Sequence, residues 1–160
     1  MIEIKSINDA NFRLRSVDEK GLFSGYASIF DTQDEQNDIV LPGAFRASLE
    51  EFDRRGKWPK MLWQHNLQEP IGRWLFIEED AKGLYVEGQL LLDIQKAKEA
   101  YALMKAGAVD GLSIGFQVIK ARREAKSGIR YIQQVRLIEI SVVTYAANHE
   151  ARVTRVKNKA

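Results

Sequence analysis

A pair of long β-type segments in the second half of the chain constrains the fold more than any other feature. Residues 112–124 read LSIGFQVIKARRE, and residues 129–145 read IRYIQQVRLIEISVVTY. The four residues between them, AKSG, include the glycine that is typical of a hairpin turn. Towards the end of the second segment, residues 137–143 (LIEISVV) are apolar on both faces except at Glu139 and Ser141, as expected for a strand buried inside a sheet. The sequence therefore predicts a fold built around a β-sheet.

The rest of the chain adds shorter strands and two helices. Strands are expected at residues 2–5, 12–16, 21–30, 60–65, 71–80 and 83–92. One helix is expected at residues 44–55, closed by Gly56, and a second at residues 94–107, with Asp93 as its N-cap. About seven to eight mostly consecutive strands favour an antiparallel barrel or sandwich with helices outside it, an α+β fold that is mainly β.

Composition limits the chemistry that the chain can carry. Its 160 residues suit a single domain, residues 1–160, that ends in a basic tail at 153–160. Without cysteine there are no disulfides, cysteine nucleophiles or thiolate metal sites, and two histidines are too few for a His-rich site. The net charge of +2 indicates no nucleic-acid or membrane surface, and residues 1–12 lack a signal-peptide core. We expect a cytoplasmic protein without metal or cofactor.

The segment GLSIGF at residues 111–116 matches the G-x-S-x-G pattern of a serine-hydrolase nucleophile elbow. That elbow requires a strand, then a sharp turn that carries the serine, then a helix. Here the order is reversed, because a predicted helix precedes Ser113 and a strand follows it. The α/β-hydrolase interpretation is therefore rejected, and Ser113 is placed at the start of a strand.

Ser113 still occupies a suitable position for a nucleophile. Ser113 and Gly115 share the strand face opposite the apolar one, and Gly115 leaves space there for the close approach of another chain. A hairpin around AKSG places Ser113 opposite Glu139, within one or two residues. A buried carboxylate is costly without a partner. The alternative partner for this acid is an arginine, Arg136 or Arg73.

His65, at the end of the expected strand 60–65, is the candidate general base. Histidine is the usual base for a serine because its pKa lies near working pH. In a Ser-His-acid triad the acid fixes the imidazole tautomer and stabilises its cation. The residues suggest a triad of His65, Ser113 and Glu139 in that chain order. A serine or histidine in such a position is more often structural, so both interpretations stay open at this point.

Four segments in a fixed order extend the pattern beyond single residues. They are GYASIFDTQDEQNDIVLPGAF, MLWQHNLQEPIGRW, GLSIGFQV and LIEISVVTYAAN. Together they resemble the prohead proteases of tailed bacteriophages, which are capsid-maturation serine proteases similar in fold to assemblin, the herpesvirus maturation protease. The resemblance covers residues 21–152. It implies a small antiparallel β-barrel of about seven strands with surrounding helices.

The resemblance also implies roles for individual residues. Ser113 matches the nucleophile and His65 the base. The third member is a second histidine in the herpesvirus relatives, whereas the phage pattern L-x-E-x-S has an acid, which is Glu139 here. His149 is the second choice because it lies beyond that strand.

The segment after this strand is implied to bind the oxyanion. Similarity to assemblin suggests that backbone N–H groups around Ala147 and Asn148 serve as the donors. The family pattern has Pro-Ala-Asn here, and this chain has Ala146 in place of the proline. That departure affects the local turn more than the chemistry.

The implied function is maturation of a phage capsid. The resemblance implies an endopeptidase that cleaves major capsid protein or scaffold segments, and itself, inside the procapsid in the cytoplasm of the bacterial host. It implies no membrane or nucleic-acid partner, and an assemblin-like fold allows a homodimer. The alternative is a non-catalytic capsid-assembly or decoration module, which predicts that His65 and Ser113 lie far apart. A nucleic-acid-binding barrel is disfavoured by the net charge of +2.

Overall fold

The structure is a computed structural model that describes residues 2–6, 14–15, 19–145 and 156–157. Within those residues the chain forms ten strands and two helices. The strands are β1 (Glu3–Ser6), β2 (Leu14–Arg15), β3 (Leu22–Ile29), β4 (Asp38–Val40), β5 (Lys60–Trp63), β6 (Asn66–Glu79), β7 (Gly83–Leu90), β8 (Gly111–Arg123), β9 (Arg130–Val143) and β10 (Val156–Lys157). The helices are α1 (Arg46–Arg55) and α2 (Gln95–Lys105).

Eight of these strands form one sheet that curls into a half-barrel. Its order is β1-β8-β9-β5-β6-β7-β3, and β4 pairs with β9 beside β5. Strands β2 and β10 form a separate parallel pair. The expected mainly β architecture with two helices is confirmed. The long hairpin of β8 and β9 and the hairpin of β6 and β7 both form where the sequence predicts them.

Strand β9 is the exception to the expected antiparallel pairing within the eight-stranded sheet. Strands β4 and β5 both pair with β9 in parallel, at residues 130–132 and 139–142 respectively. Helix α1 lies between β4 and β5 in the chain and packs against β9. It carries the chain from one end of β9 to the other without reversing its direction. A parallel neighbour is the consequence, because only a reversal would give an antiparallel one.

A buried serine fixes helix α1 to β9. Ser48 is 6% exposed, accepts a hydrogen bond from the Leu137 N–H at 2.8 Å and donates to the Val135 carbonyl at 3.3 Å. Helix α1 ends at Gly56, which has a φ of 68°, as its sequence predicts. The N-cap prediction for α2 is wrong, because Ile94 is the capping residue and no side chain caps the helix. Packing of its buried alanines and Met104 therefore holds α2 in place.

The prediction is wrong for the segment NLQEP, residues 66–70, which lies between the expected strands 60–65 and 71–80. Its polar residues and proline indicate a loop, but strand β6 begins at Asn66. Strand β5 ends at Trp63, which pairs with Asn66, so only Gln64 and His65 form the turn. The pairing then jumps to Leu62 with Pro70, so the polar residues are accommodated as an irregularity within the strand. His65 thus lies in a tight turn and not at the end of a strand.

No helix in the ranges that the structure describes is long and apolar enough to span a bilayer. Of the basic tail predicted at 153–160, the structure describes residues 156–157, which form β10. The expected strand at 12–16 is described only at residues 14–15.

Candidate active site

Three side chains from distant parts of the chain meet at one end of strands β8 and β9. His65 Nε2 lies 2.6 Å from Ser113 Oγ, and His65 Nδ1 lies 2.5 Å from Glu139 Oε2. Ser113 has no exposed surface, Glu139 is 5% exposed, and the His65 side chain is 21% exposed. The imidazole therefore bridges a buried hydroxyl and a buried carboxylate. The structure brings together all three residues of the predicted triad.

The register of the β8–β9 hairpin places the serine and the acid. Ser113 pairs with Ser141, and Gly115 pairs with Glu139. The partner of Ser113 is therefore two residues from Glu139, within the range of one or two residues that the sequence predicts, and Ser113 and Glu139 lie on the same face of neighbouring strands. The face opposite is apolar, and its Ile114 and Ile140 belong to the buried core. This arrangement aims the polar groups away from the core and toward His65.

The prediction for Gly115 is also corrected. A Cβ at this position would lie 3.1 Å from the Glu139 carboxyl carbon and 3.2 Å from its Cγ, and closer still to Oε2. The space that Gly115 leaves is therefore filled by the Glu139 side chain and does not accommodate a further strand. Glycine is required here because the carboxylate must lie across the β8 backbone to reach the imidazole.

His65 occupies a strained turn that strand β9 holds in place. Gln64 and His65 have φ values of 53° and 61°, the left-handed region expected for both central residues of a type I′ hairpin turn. Asparagine and glycine are the usual residues there, and other side chains cost about 1–2 kcal/mol each. Backbone hydrogen bonds offset that cost: Gln64 N–H donates to the Val142 carbonyl at 2.9 Å, and His65 N–H donates to Ser141 Oγ at 3.1 Å.

The Gln64 side chain adds a second attachment to the same strand. Its Oε1 accepts from the Thr144 N–H at 3.1 Å, and its Nε2 donates to Thr144 Oγ1. Sequence reasoning assigned no function to Gln64 or Thr144. Their role depends on a contact between residues eighty positions apart, which no local pattern indicates.

Ser141 is the most informative residue that sequence reasoning missed. It has no exposed surface, donates to Glu139 Oε1 at 2.7 Å and accepts from the His65 N–H. Both carboxylate oxygens of Glu139 are thus engaged, one by the imidazole and one by this hydroxyl. The signal was present, because Ser141 and Glu139 are the two polar residues of an otherwise apolar run.

These contacts decide between interpretations that the sequence left open. Glu139 pairs with His65 and not with an arginine, and the Arg73 guanidinium instead donates to Gln89. A binding module without chemistry predicted that His65 and Ser113 lie far apart, whereas their polar atoms are 2.6 Å apart. The geometry can move a serine proton to a histidine whose other nitrogen is held by a carboxylate.

Ala147, Asn148 and His149 lie outside the described residues. The oxyanion donors predicted at Ala147 and Asn148, and the alternative third member His149, therefore stay predictions.

Comparison with known proteins gives a consistent assignment. The caudovirus prohead serine protease family matches residues 10–160. The chain belongs to this family. The prohead protease of Enterobacteria phage HK97 is 34% identical over 160 residues, which cover 99% of this chain and 70% of that protein. The capsid polyprotein of Pseudomonas phage PAJU2 is also 34% identical, over 98% of this chain but only 22% of its own length.

The fold of this prohead protease also matches a solved structure. The capsid assembly protease of bacteriophage T4 superimposes with a TM-score of 0.65 over 89% of this chain and 97% of the T4 chain. Sequence identity is 9%, so the likeness is one of fold. It supports the half-barrel arrangement that brings β5, β8 and β9 together.

Replacing Gly115 with alanine tests the packing of the acid. We expect Gly115→Ala to displace the Glu139 carboxylate from His65 Nδ1, because the added methyl group has no space beside it. The low-field proton resonance of the imidazole N–H, measured by NMR, should then be lost. Gln117→Ala, two residues further along the same face of β8, should keep it. An unchanged resonance in Gly115→Ala would show that the carboxylate does not lie against this glycine.

Proposed function

We propose that this prohead protease is a serine endopeptidase with Ser113 as nucleophile, His65 as general base and Glu139 as the residue that orients the base. The observation that carries the proposal is the continuous hydrogen-bonded chain from Ser113 Oγ through both imidazole nitrogens to Glu139 Oε2. Nucleophile, base and orienting group within hydrogen-bond reach of one another are the signature of an activated serine.

The reaction follows from the tautomer that the partners of the imidazole require, because a carboxylate only accepts hydrogen bonds whereas a hydroxyl can donate one. With Nδ1–H donating to Glu139, the neutral imidazole has its free lone pair on Nε2, where it accepts the Ser113 proton. The alkoxide attacks the scissile carbonyl, and the imidazolium then gives the proton to the departing amine, which leaves an acyl-enzyme. A water molecule that loses its proton to His65 releases the acid product and restores the serine. Glu139 stays ionised and stabilises the imidazolium in both halves.

Ser141 acts in this proposal as a positioning residue. Its hydroxyl donates to the Glu139 oxygen that does not face the imidazole, and it accepts from the backbone of His65. One side chain therefore fixes the acid and the base relative to each other. Neither of these hydrogen bonds involves Ser113 or a substrate atom.

The proposed substrates are segments of capsid or scaffold proteins. Two observations support this class: the HK97 relative is a prohead protease, and the PAJU2 relative is a capsid polyprotein. A chain similar to this one within a capsid polyprotein also supports processing of the protease's own chain. We place the activity inside the assembling procapsid, in the cytoplasm of the bacterial host. A homodimer is compatible with this proposal and is not required by it.

The nucleophile and the acid can be tested together against a capsid precursor. Ser113→Ala should abolish cleavage, and Glu139→Gln should lower kcat about 10⁴-fold because the imidazole loses the partner that sets its tautomer. Intact-mass spectrometry of the capsid precursor co-expressed with each variant measures the product. Ser127→Ala, in the exposed turn between β8 and β9, is the matched control and should cleave normally. Normal processing by Ser113→Ala would refute the proposed mechanism.

The positioning role of Ser141 predicts a different pattern. Ser141→Ala leaves a Glu139 oxygen and the His65 N–H without their partner, a loss of about 1–3 kcal/mol. We expect kcat to fall about tenfold to a hundredfold while KM stays nearly constant, because the substrate is not contacted. Ser28→Ala removes another buried serine, on β3, and should preserve kcat. If Ser141→Ala loses as much thermal stability as Ser28→Ala and its kcat is unchanged, the role of Ser141 is structural alone.

A further inference from the structure

The proposed nucleophile is closed to a substrate in this structure. Ser113 has no exposed surface, although the neighbouring His65 side chain is 21% exposed. A scissile carbonyl must approach Ser113 Oγ to within bonding distance, so some part of the chain that packs beside Ser113 must give way. Among the described residues, β9 and β1 are the strands that pair with β8, and β9 must stay in place because it carries Glu139 and holds the His65 turn.

Strand β1 occupies the other side of the serine strand. It pairs antiparallel with β8, with Glu3 opposite Phe116 and Ser6 opposite Ser113. The pairing covers the first residues of β8 after the nucleophile and ends level with it. An extended peptide bound to this edge in the same direction would place the residues before its scissile bond opposite 113–116. Addition of a strand to a sheet edge is a common way to bind extended peptides.

The attachment of β1 to the molecule is slight. It is four residues long, and neither Glu3 nor Ile4, the two of its residues whose side chains the structure describes, belongs to the buried apolar core. Ile4 is 38% exposed. Of its described side chains, Glu3 forms an ion pair with Arg130 at 2.7 Å. Both side chains of this pair are partly exposed, 22% for Arg130 and 28% for Glu3, so water can hydrate Glu3 when the pair opens.

Arg130 keeps a second partner when β1 leaves. Its guanidinium is also bound by Asp38, at 2.9 Å and 2.7 Å, and this carboxylate is 2% exposed. Departure of Glu3 therefore does not leave the cation unpaired. The Arg130 guanidinium can then donate hydrogen bonds to one further carboxylate, at a fixed distance from Ser113.

We propose that β1 occupies the substrate-binding edge of β8, and that the substrate binds there as an extended segment that replaces β1. This rests on the proposed function. The register also indicates a substrate preference. Glu3 lies three positions before Ser6, the residue that faces Ser113, so the protease should prefer substrates with an acidic residue at that position, where it can bind Arg130 in place of Glu3. The protease is therefore held in a self-occupied state, and its apparent affinity for substrate is reduced by the fraction of molecules in which β1 is seated.

A binding experiment tests the replacement without any need for catalysis. The probe is a fluorescent peptide with the sequence of residues 1–10, MIEIKSINDA, and the proteins carry Ser113→Ala with and without deletion of residues 2–6. Fluorescence anisotropy should show binding to the deletion protein at least about tenfold tighter than to the undeleted protein. A peptide with Glu3→Ala should bind the deletion protein about twofold to fivefold more weakly.

Three results of this experiment would overturn the proposal. They are equal affinity for both proteins, no binding to the deletion protein, and loss of the folded state on deletion, measured by circular dichroism. The third result would show that β1 is a structural strand and not an exchangeable one.

A milder variant of the undeleted chain gives a second arm. Glu3→Ala should raise kcat/KM for the capsid precursor about twofold to fivefold, because it loosens β1 alone. Glu51→Ala, which removes the exposed ion pair with Arg55 on α1, is the matched control and should leave kcat/KM unchanged. An unchanged or lower kcat/KM in Glu3→Ala contradicts the proposal while leaving the serine mechanism intact. Peptide exchange without any Ser113-dependent cleavage would instead refute the proposed function alone.

Discussion

The hydrogen bonds between the Gln64–His65 turn and strand β9 are the interaction on which the site depends. Two consecutive residues with positive φ would be unfavourable in an isolated hairpin. Contacts with the backbone and side chains of β9 hold them, and the same strand carries Glu139 and Ser141. Base, acid and positioning hydroxyl are therefore parts of one rigid unit. Loss of the parallel β5–β9 pairing would separate the base from both the acid and the hydroxyl.

Burying a polar cluster of this kind inside a mainly β core costs folding free energy. The arrangement of the surrounding side chains keeps that cost small. Glu139 and Ser141 lie on one face of β9, and the opposite face is filled by Ile140 and Val142. Each polar atom of the acid has a partner, so the buried charge is not left unsatisfied. Gly115 provides the necessary room on β8. Stability and reactivity therefore depend on the same few side chains.

The sequence could predict whatever local pattern determines, and little beyond it. Alternation and the AKSG turn predicted the β8–β9 hairpin, and the ordered motifs brought His65, Ser113 and Glu139 to attention. The sequence predicted the register of this hairpin only to within one or two residues, because the apolar pattern does not reveal irregular pairings inside a hairpin. The parallel pairing of β5 and β9 is a contact between residues far apart in the chain. Gly115 was misread because its neighbour Glu139 becomes known only from that register.

Labelling with a serine-reactive fluorophosphonate tests the central claim most directly. We expect a single adduct, located at Ser113 by peptide mapping and mass spectrometry, that is absent when His65 is replaced with alanine. The reagent reacts only with a serine whose proton a neighbouring base removes. An adduct on another serine, or equal labelling of Ser113 without His65, would contradict the account.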